Sequence, residues 1–275
     1  MSVYYKENQK FVQPESCLTL ILDSNAIKLK ENISNNNIFK DAVYNFGGSY
    51  SGQFSKIYLS KCFIDTSIKN VNQYLNTLYY NYDGVDHEVT LDEGIYNQNS
   101  LCTALNLRIA AKYGALEIKF TYDINKHIII ANSNAAPTKK FYFRDLGFAS
   151  LPQFAKFPVG VSTNDVSQII LAPDLYFTRS IIFKSQYWSK KFGLNIISNN
   201  SQYDGGLLVI PIAYPTRPIR TEMVNDANTT SFISKPIDEQ NLDIDISVYD
   251  EFGHYLSDVT SVVTSDFYSI TFILL

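Results

Sequence analysis

Methionine, tryptophan, cysteine and histidine are all scarce in this chain, at two, one, three and three residues in 275. Charge is thin as well, at 18% Asp, Glu, Lys and Arg, against ~25% in an ordinary globular chain. With 23 basic and 27 acidic residues the net charge is −4. No broad basic face is therefore available to neutralise a nucleic-acid backbone. No apolar run reaches the ~18 residues of a membrane-spanning helix. The opening Met1-Ser-Val-Tyr-Tyr-Lys-Glu7 lacks the apolar stretch and small-residue cleavage site of a secretory signal. Cys17, Cys62 and Cys102 form an odd set with no close pair, each beside apolar neighbours. They are expected to be reduced thiols in a cytoplasmic setting, acting as small buried hydrophobes.

What the chain has in quantity is Tyr (20 residues) and Phe (18 residues), which bring the aromatic share to 14%, together with Asn, Ser and Ile. Tyr and Phe favour strands, whereas Asn and Ser favour turns, so an all-β protein with many loops is expected. A polar surface built from Asn, Ser and Tyr also avoids the charges that interface centres exclude. That favours an assembling protein over a solitary one.

Patterning supports the strands. Leu116, Ile118, Phe120 and Tyr122 alternate with Glu117, Lys119 and Thr121, a period of two that puts one face in a core and the other in water. Asp123–Lys126 supplies a turn and His127–Ala131 returns, so the two segments read as a hairpin. Leu242, Ile244, Ile246 and Val248 alternate in the same way before the turn Asp250-Glu-Phe-Gly253, and Tyr268–Leu275 closes the chain as an apolar strand. Further strands are expected at Cys17–Leu22, Ser55–Ile64, Asp174–Phe177, Ile181–Phe183 and Leu207–Ala213. Pro211 removes a ladder donor and puts the last of these at a sheet edge. Gly47–Gly52 reads as a turn or bend, and Lys28–Asn37 as a polar loop.

One segment has a helical period. Asn97–Ser100 offers N-caps, Leu101, Leu105 and Ile109 recur every four residues, and Gly114 follows as a stop. Many strands and one helix imply an all-β fold, a single jelly-roll β-sandwich of two packed antiparallel sheets with one crossover helix near residues 99–113. Residues 1–16 read as an N-terminal arm and residues 17–275 as one jelly-roll domain, with no large inserted domain expected.

No residues with the spacing of a reactive centre are found. His87, His127 and His254 are far apart and outside any metal-ligand spacing, so they read as structural, hydrogen-bonded side chains. Cys102 lies in the first turns of an amphipathic helix and reads as packing rather than as a nucleophile. Gly205-Gly206 lacks the Lys-Ser/Thr of a phosphate loop. Asp243, Asp245, Asp250 and Glu251 read as a solvated strand face and turn rather than a calcium loop, and Asp83, Asp86, Asp92 and Glu93 receive the same reading. Lys139-Lys140 and Lys190-Lys191 are too sparse for a nucleic-acid track. No catalytic, metal-binding or cofactor-binding residue is assigned, and the chain is expected not to be an enzyme.

The order of short motifs is more specific than any one of them. It runs from Leu20-Ile-Leu-Asp-Ser-Asn-Ala26 through Asn76-Thr-Leu-Tyr-Tyr-Asn81 and Leu91-Asp-Glu-Gly-Ile-Tyr96 to the helix. After the hairpin come Phe143-Arg-Asp-Leu-Gly-Phe148, Asp174–Phe177, Leu207–Ile212 and Ile246-Ser-Val-Tyr-Asp-Glu-Phe-Gly253. Over most of residues 17–275 this order resembles the penton (minor capsid) proteins of virophages and of Maverick/Polinton elements, most of all those of mavirus-type virophages. Usage rich in Asn, Ile, Lys and Tyr also suits an AT-rich viral genome. The resemblance implies a structural capsid protein that forms homopentamers at the five-fold vertices of an icosahedral shell. Its neighbours would be hexons of a double-jelly-roll major capsid protein, with assembly in the host cytoplasm, no specific nucleic-acid site and no cofactor. The alternative is a glycan- or receptor-binding β-sandwich, with Tyr187-Trp188 as the platform. An enzyme on the same scaffold fails for want of a His/Glu metal set.

Overall fold

The computed structural model of this chain describes residues 18–25, 38–52, 56–134, 136, 138–144, 156–171, 175, 178–187, 189, 206–212, 219–224, 230–232, 237–260 and 267–274. Three strands come first: β1 (Leu18–Asp23), β2 (Ala42–Gly52) and β3 (Lys56–Thr66). Six follow in the middle of the chain with the helix Gln98–Tyr113: β4 (Thr77–Tyr82), β5 (Val85–Thr90), β6 (Ile118–Asp123), β7 (Ile128–Ser133), β8 (Phe141–Arg144) and β9 (Ser167–Leu171). The last six are β10 (Ser180–Lys184), β11 (Gly206–Pro211), β12 (Ile219–Val224), β13 (Thr230–Phe232), β14 (Ile237–Asp250) and β15 (Phe267–Leu274).

The early and late strands pair with one another into two antiparallel sheets. One has the order β1-β15-β3-β12, with β13 also on β3, and the other the order β11-β10-β14-β2. The chain crosses between these sheets repeatedly, which is the connectivity of a jelly roll. Its core follows from the two-residue period. Leu20 and Leu22, Cys62 and Ile64, and Ile270 and Phe272 point inward from the first sheet. Ile181 and Phe183, Leu208 and Ile210, and Ile244, Ile246 and Val248 meet them from the second. Tyr268 is fully buried among the rings of Phe39, Tyr44 and Phe183, with centroids 5.3 to 6.3 Å away.

Two local readings of the sequence resolve here. Pro211 ends β11, the edge strand of its sheet, as its missing donor required. Gly47–Gly52, expected to bend, instead continues β2 to its end. The register against β14 steps from Asn241↔Gly47 to Glu239↔Tyr50, so two residues of β2 face one of β14. The glycines accommodate a β-bulge, a kink within pairing that local propensity cannot tell from a turn.

The middle of the chain pairs apart from these two sheets. The strands β4 to β9 join neither jelly-roll sheet. They form two three-stranded sheets of their own, β5-β4-β8 and β6-β7-β9. With the helix they enclose a second hydrophobic core, whose described residues all lie between Val71 and Leu175. The period of two in Leu116–Tyr122 correctly marked a half-buried strand, but periodicity does not say which sheet a strand joins. The helix starts where expected. The Asn97 side chain accepts from the Ser100 N–H, the Ser100 hydroxyl accepts from the Asn97 N–H, and Gly114 closes it at φ 71°. Leu101, Cys102, Leu105 and Ile109 face this second core.

The two cores meet at a short junction. Ile68 bridges to Thr260, and the Lys69 N–H donates to the Val259 carbonyl at 2.7 Å. Tyr74 stacks on His254 with centroids 3.7 Å apart, and its hydroxyl donates to Asp258 at 3.1 Å. On the other side, the Asn70 amide donates to the Tyr96 carbonyl and accepts from the Tyr96 N–H, at 2.6 and 2.8 Å.

Candidate functional site

The residues that could carry chemistry are mostly spent on holding local structure. Tyr80 donates to Glu117 at 3.0 Å, and His87 Nδ1 stands 2.9 Å from the same carboxylate oxygen. Tyr113 packs on the His87 ring at 4.2 Å, so a histidine, a carboxylate and two tyrosines lock β4 and β5 to the residues entering β6. His127 sits in the turn before β7 at φ 52°, with Tyr122 at 3.1 Å. His254 Nδ1 lies 2.9 Å from Asp250 Oδ2.

On β14 and its turn, Asp250 is not on the solvated face expected. Asp250 is only 1% exposed, and its Oδ1 accepts from the Phe252 and His254 N–H groups at 2.9 and 2.8 Å. It is a buried turn organiser, a role that spacing along a strand does not reveal. Its turn closes at Gly253, where φ is 88°. The four acids of the earlier set are ion-paired: Asp83 with Lys139, Asp86 with Arg144, Asp92 with Arg108 and Glu93 with Lys69. Among the described residues no group of three or more His, Cys, Asp or Glu could hold a metal. Burial pushes the Cys62 and Cys102 thiols up to about 12, which leaves them un-ionised at neutral pH. Cys17, Trp188 and Lys190-Lys191 lie outside the described residues. Tyr187 is half-buried against the jelly-roll core, and burial pushes its hydroxyl up to about 12.

One concave polar site stands apart. It lies on the outer face of the sheet β11-β10-β14-β2 and has a volume of about 250 Å³. Its floor is the outward row of β14, Asp245, Ser247 and Tyr249, with Lys184 of β10 beside them. Asp245 is fixed by three donors: the Gln186 N–H at 2.8 Å, the Tyr187 N–H at 2.7 Å and the Ser185 hydroxyl at 3.3 Å. Across the site the Ser247 hydroxyl donates to Asp41 Oδ1 at 2.8 Å and accepts from the Asp41 N–H at 3.2 Å. Asp41 itself has a left-handed backbone, φ 50°, which Asp tolerates better than most residues. Tyr249 and Tyr255 stack with centroids 4.6 Å apart, Lys184 lies over the first at 5.2 Å and Lys40 over the second at 4.6 Å. Burial, with Tyr255 alongside, raises the Tyr249 hydroxyl well above its usual value, so it stays a donor at neutral pH. Sequence reasoning missed this site because its residues come from four separated stretches that only the sheet brings together.

Topology and core define the class: this is a jelly-roll β-sandwich protein. Its fold is similar to that of the mavirus penton protein in its selenomethionine-labelled crystal structure, with a TM-score of 0.55 and 9% sequence identity. The likeness covers 94% of this chain and 98% of that one. No family model and no curated protein matches the chain by sequence. The resemblance read from the order of motifs is thus met in the fold.

Proposed function

We propose that this protein is a structural capsid subunit, a penton that forms homopentamers at the five-fold vertices of an icosahedral virion. The observation that carries this reading is a fold shared with the mavirus penton protein over nearly the whole length of both chains, the central strands included. A surface with little charge agrees with subunits that bury their flanks on copies of themselves. On this reading the partners are the chain itself and the double-jelly-roll major capsid protein, and the site of action is the capsid vertex after assembly in the host cytoplasm. The protein performs no chemistry in this role.

The second core adds a further element to the proposal. The described residues between Val71 and Leu175 that share this core are read as an inserted unit carried between β3 and β10, and the jelly roll proper as the assembling body. Electron microscopy of the purified protein, alone and with its candidate hexon, tests the whole reading. Five-fold rings, or density at the vertices of reconstituted shells, are expected. A protein that stays monomeric and is never incorporated into shells would refute it.

A further inference from the structure

We propose that the open edge of β9 pairs antiparallel with the same strand of a second copy of this chain. This goes beyond the penton reading and does not rest on it. An unpaired strand edge is a template for another strand, and proteins normally close or guard it. In the two central sheets the other outer edges are closed. The Tyr113 hydroxyl accepts from the Glu88 N–H at 2.9 Å and donates to the Glu88 carbonyl at 2.8 Å, which plugs β5. The Asn106 amide does the same for β6, accepting from the Phe120 N–H at 2.8 Å and donating to the Phe120 carbonyl at 2.9 Å. On β8, the Phe143 carbonyl accepts from the Gly160 N–H at 2.9 Å, and Phe141 exchanges hydrogen bonds with Asp165 at 2.9 and 3.2 Å.

Beyond Asp165, β9 has no such cover among the described residues. The Ser133 N–H donates to the Val166 carbonyl at 2.8 Å, and the same register continues through Ala131↔Gln168 and Ile129↔Ile170. Antiparallel alternation then points the N–H and C=O groups of Ser167, Ile169 and Leu171 away from β7. No backbone partner meets them among the described residues. The side chains are equally unguarded. Residues 166–172 carry no charge and no proline, whereas β5 carries Asp86 and Glu88. Ile169 is 54% exposed and Leu171 70%, and each continues directly into Ile130 or Ile128 of β7. Polar side chains return only on β6, with Thr121 and Asp123 in the same rows. The face is thus apolar where the sheet stops and polar where it is finished.

Register and charge select the occupant. Two β9 strands paired about Ile169 set Ile169 opposite its own copy and Ser167 opposite Leu171. All three outward residues then fall on bonded positions, each pair exchanging both hydrogen bonds. No charge faces a like charge across the contact, and the aliphatic rows of the two copies run into each other. A charged strand would instead leave its charges unpaired beside those rows. A two-fold contact uses the same surface on both partners, whereas neighbours in a closed ring meet head to tail. The pairing therefore joins chains of different rings, not neighbours within one.

Sedimentation velocity of the full-length protein from ~5 to ~300 µM is the test, because a strand this short buries less than the ~800 Å² per partner of a standard interface and associates weakly. The expected result is a doubling of mass with concentration, from one chain to two or from a ring to a pair of rings. Ile169→Lys and Ile169→Glu each set like charges against one another at the two-fold axis. Each should weaken doubling about tenfold or more with an unchanged melting temperature, since the side chain lies in solvent. Ser167→Lys, at a position already polar and exposed, should weaken it as well. An equimolar mixture of Ile169→Lys and Ile169→Glu sets opposite charges together and should restore doubling, a rescue that an effect on the fold would not produce. A parent that never doubles, doubling that survives in Ile169→Lys, or a mixture that stays single would overturn the proposal. A parent that stays single yet binds a labelled peptide of alternating valine and threonine would assign the edge to a foreign strand and overturn it equally. Five-fold rings that never pair would sink this reading alone.

Discussion

Removal of the second core offers a direct measure of how independent the jelly roll is. The perturbation is deletion of residues 77–176, with Asn76 joined to Phe177 by a Gly/Ser linker of about ten residues, enough to span the ~10 Å between the sandwich's sheets. Residues 67–76 are kept because Ile68 and Tyr74 pack on the jelly-roll core. The polar ties of the removed unit to the rest of the chain converge on Lys69, Asn70, Val71 and Asn76. If that segment loosens, the body loses the Tyr74–His254 stack, worth ~0.5–1.5 kcal/mol. It also loses the Tyr74–Asp258 hydrogen bond, worth ~1 kcal/mol. Against this, shortening the Thr66–Ser180 connection about fivefold lowers its closure cost by ~1.4 kcal/mol. The terms nearly cancel, leaving a net loss of at most ~1 kcal/mol, or ~4 °C in melting temperature for a body of this size. The assay is thermal unfolding followed by circular dichroism. The trimmed chain should keep a cooperative β-type transition and lose the helical signal of Gln98–Tyr113. A chain that is insoluble, molten or more than ~15 °C less stable would refute the view that the jelly roll needs nothing from residues 77–176.

The remaining expectations are more local. With thiols raised to about 12, Cys62 and Cys102 are only ~0.01% thiolate at pH 8, so mapped alkylation should leave both unlabelled until denaturant is added. Asn97→Ala removes a capping box and Gly114→Ala forces a β-carbon into a φ of 71° with open space around it. Each should cost ~1 kcal/mol in urea unfolding. Asp250→Ala strands two backbone N–H groups and His254 and should cost ~3 kcal/mol, whereas Asp250→Asn keeps an acceptor for the N–H groups and should cost about half as much. Deletion of residues 1–12 should leave the melting temperature unchanged while weakening incorporation into shells, read by sedimentation of assembled particles.

Much of this architecture was legible because it rests on local physics. Alternation along β14, β15 and β6 follows from the two-residue pleat, and the ends of the helix from a side chain that satisfies free N–H groups and a glycine that accepts a positive φ. Pro211 marked an edge because a missing donor acts at its own position. The same logic identified Cys62 and Cys102 as buried, apolar-like side chains. What it could not reach were choices made between segments distant in sequence. Whether Gly47–Gly52 turned or bulged depended on β14, almost two hundred residues away, and whether Asp250 met water or backbone N–H groups depended on the fold of its own turn. The division of strands between two cores, and the gathering of Asp41, Lys184, Asp245 and Tyr255 around one recess, were likewise tertiary decisions. Periodicity tells a strand which face to bury, but only the pairing of sheets supplies the surface against which it is buried.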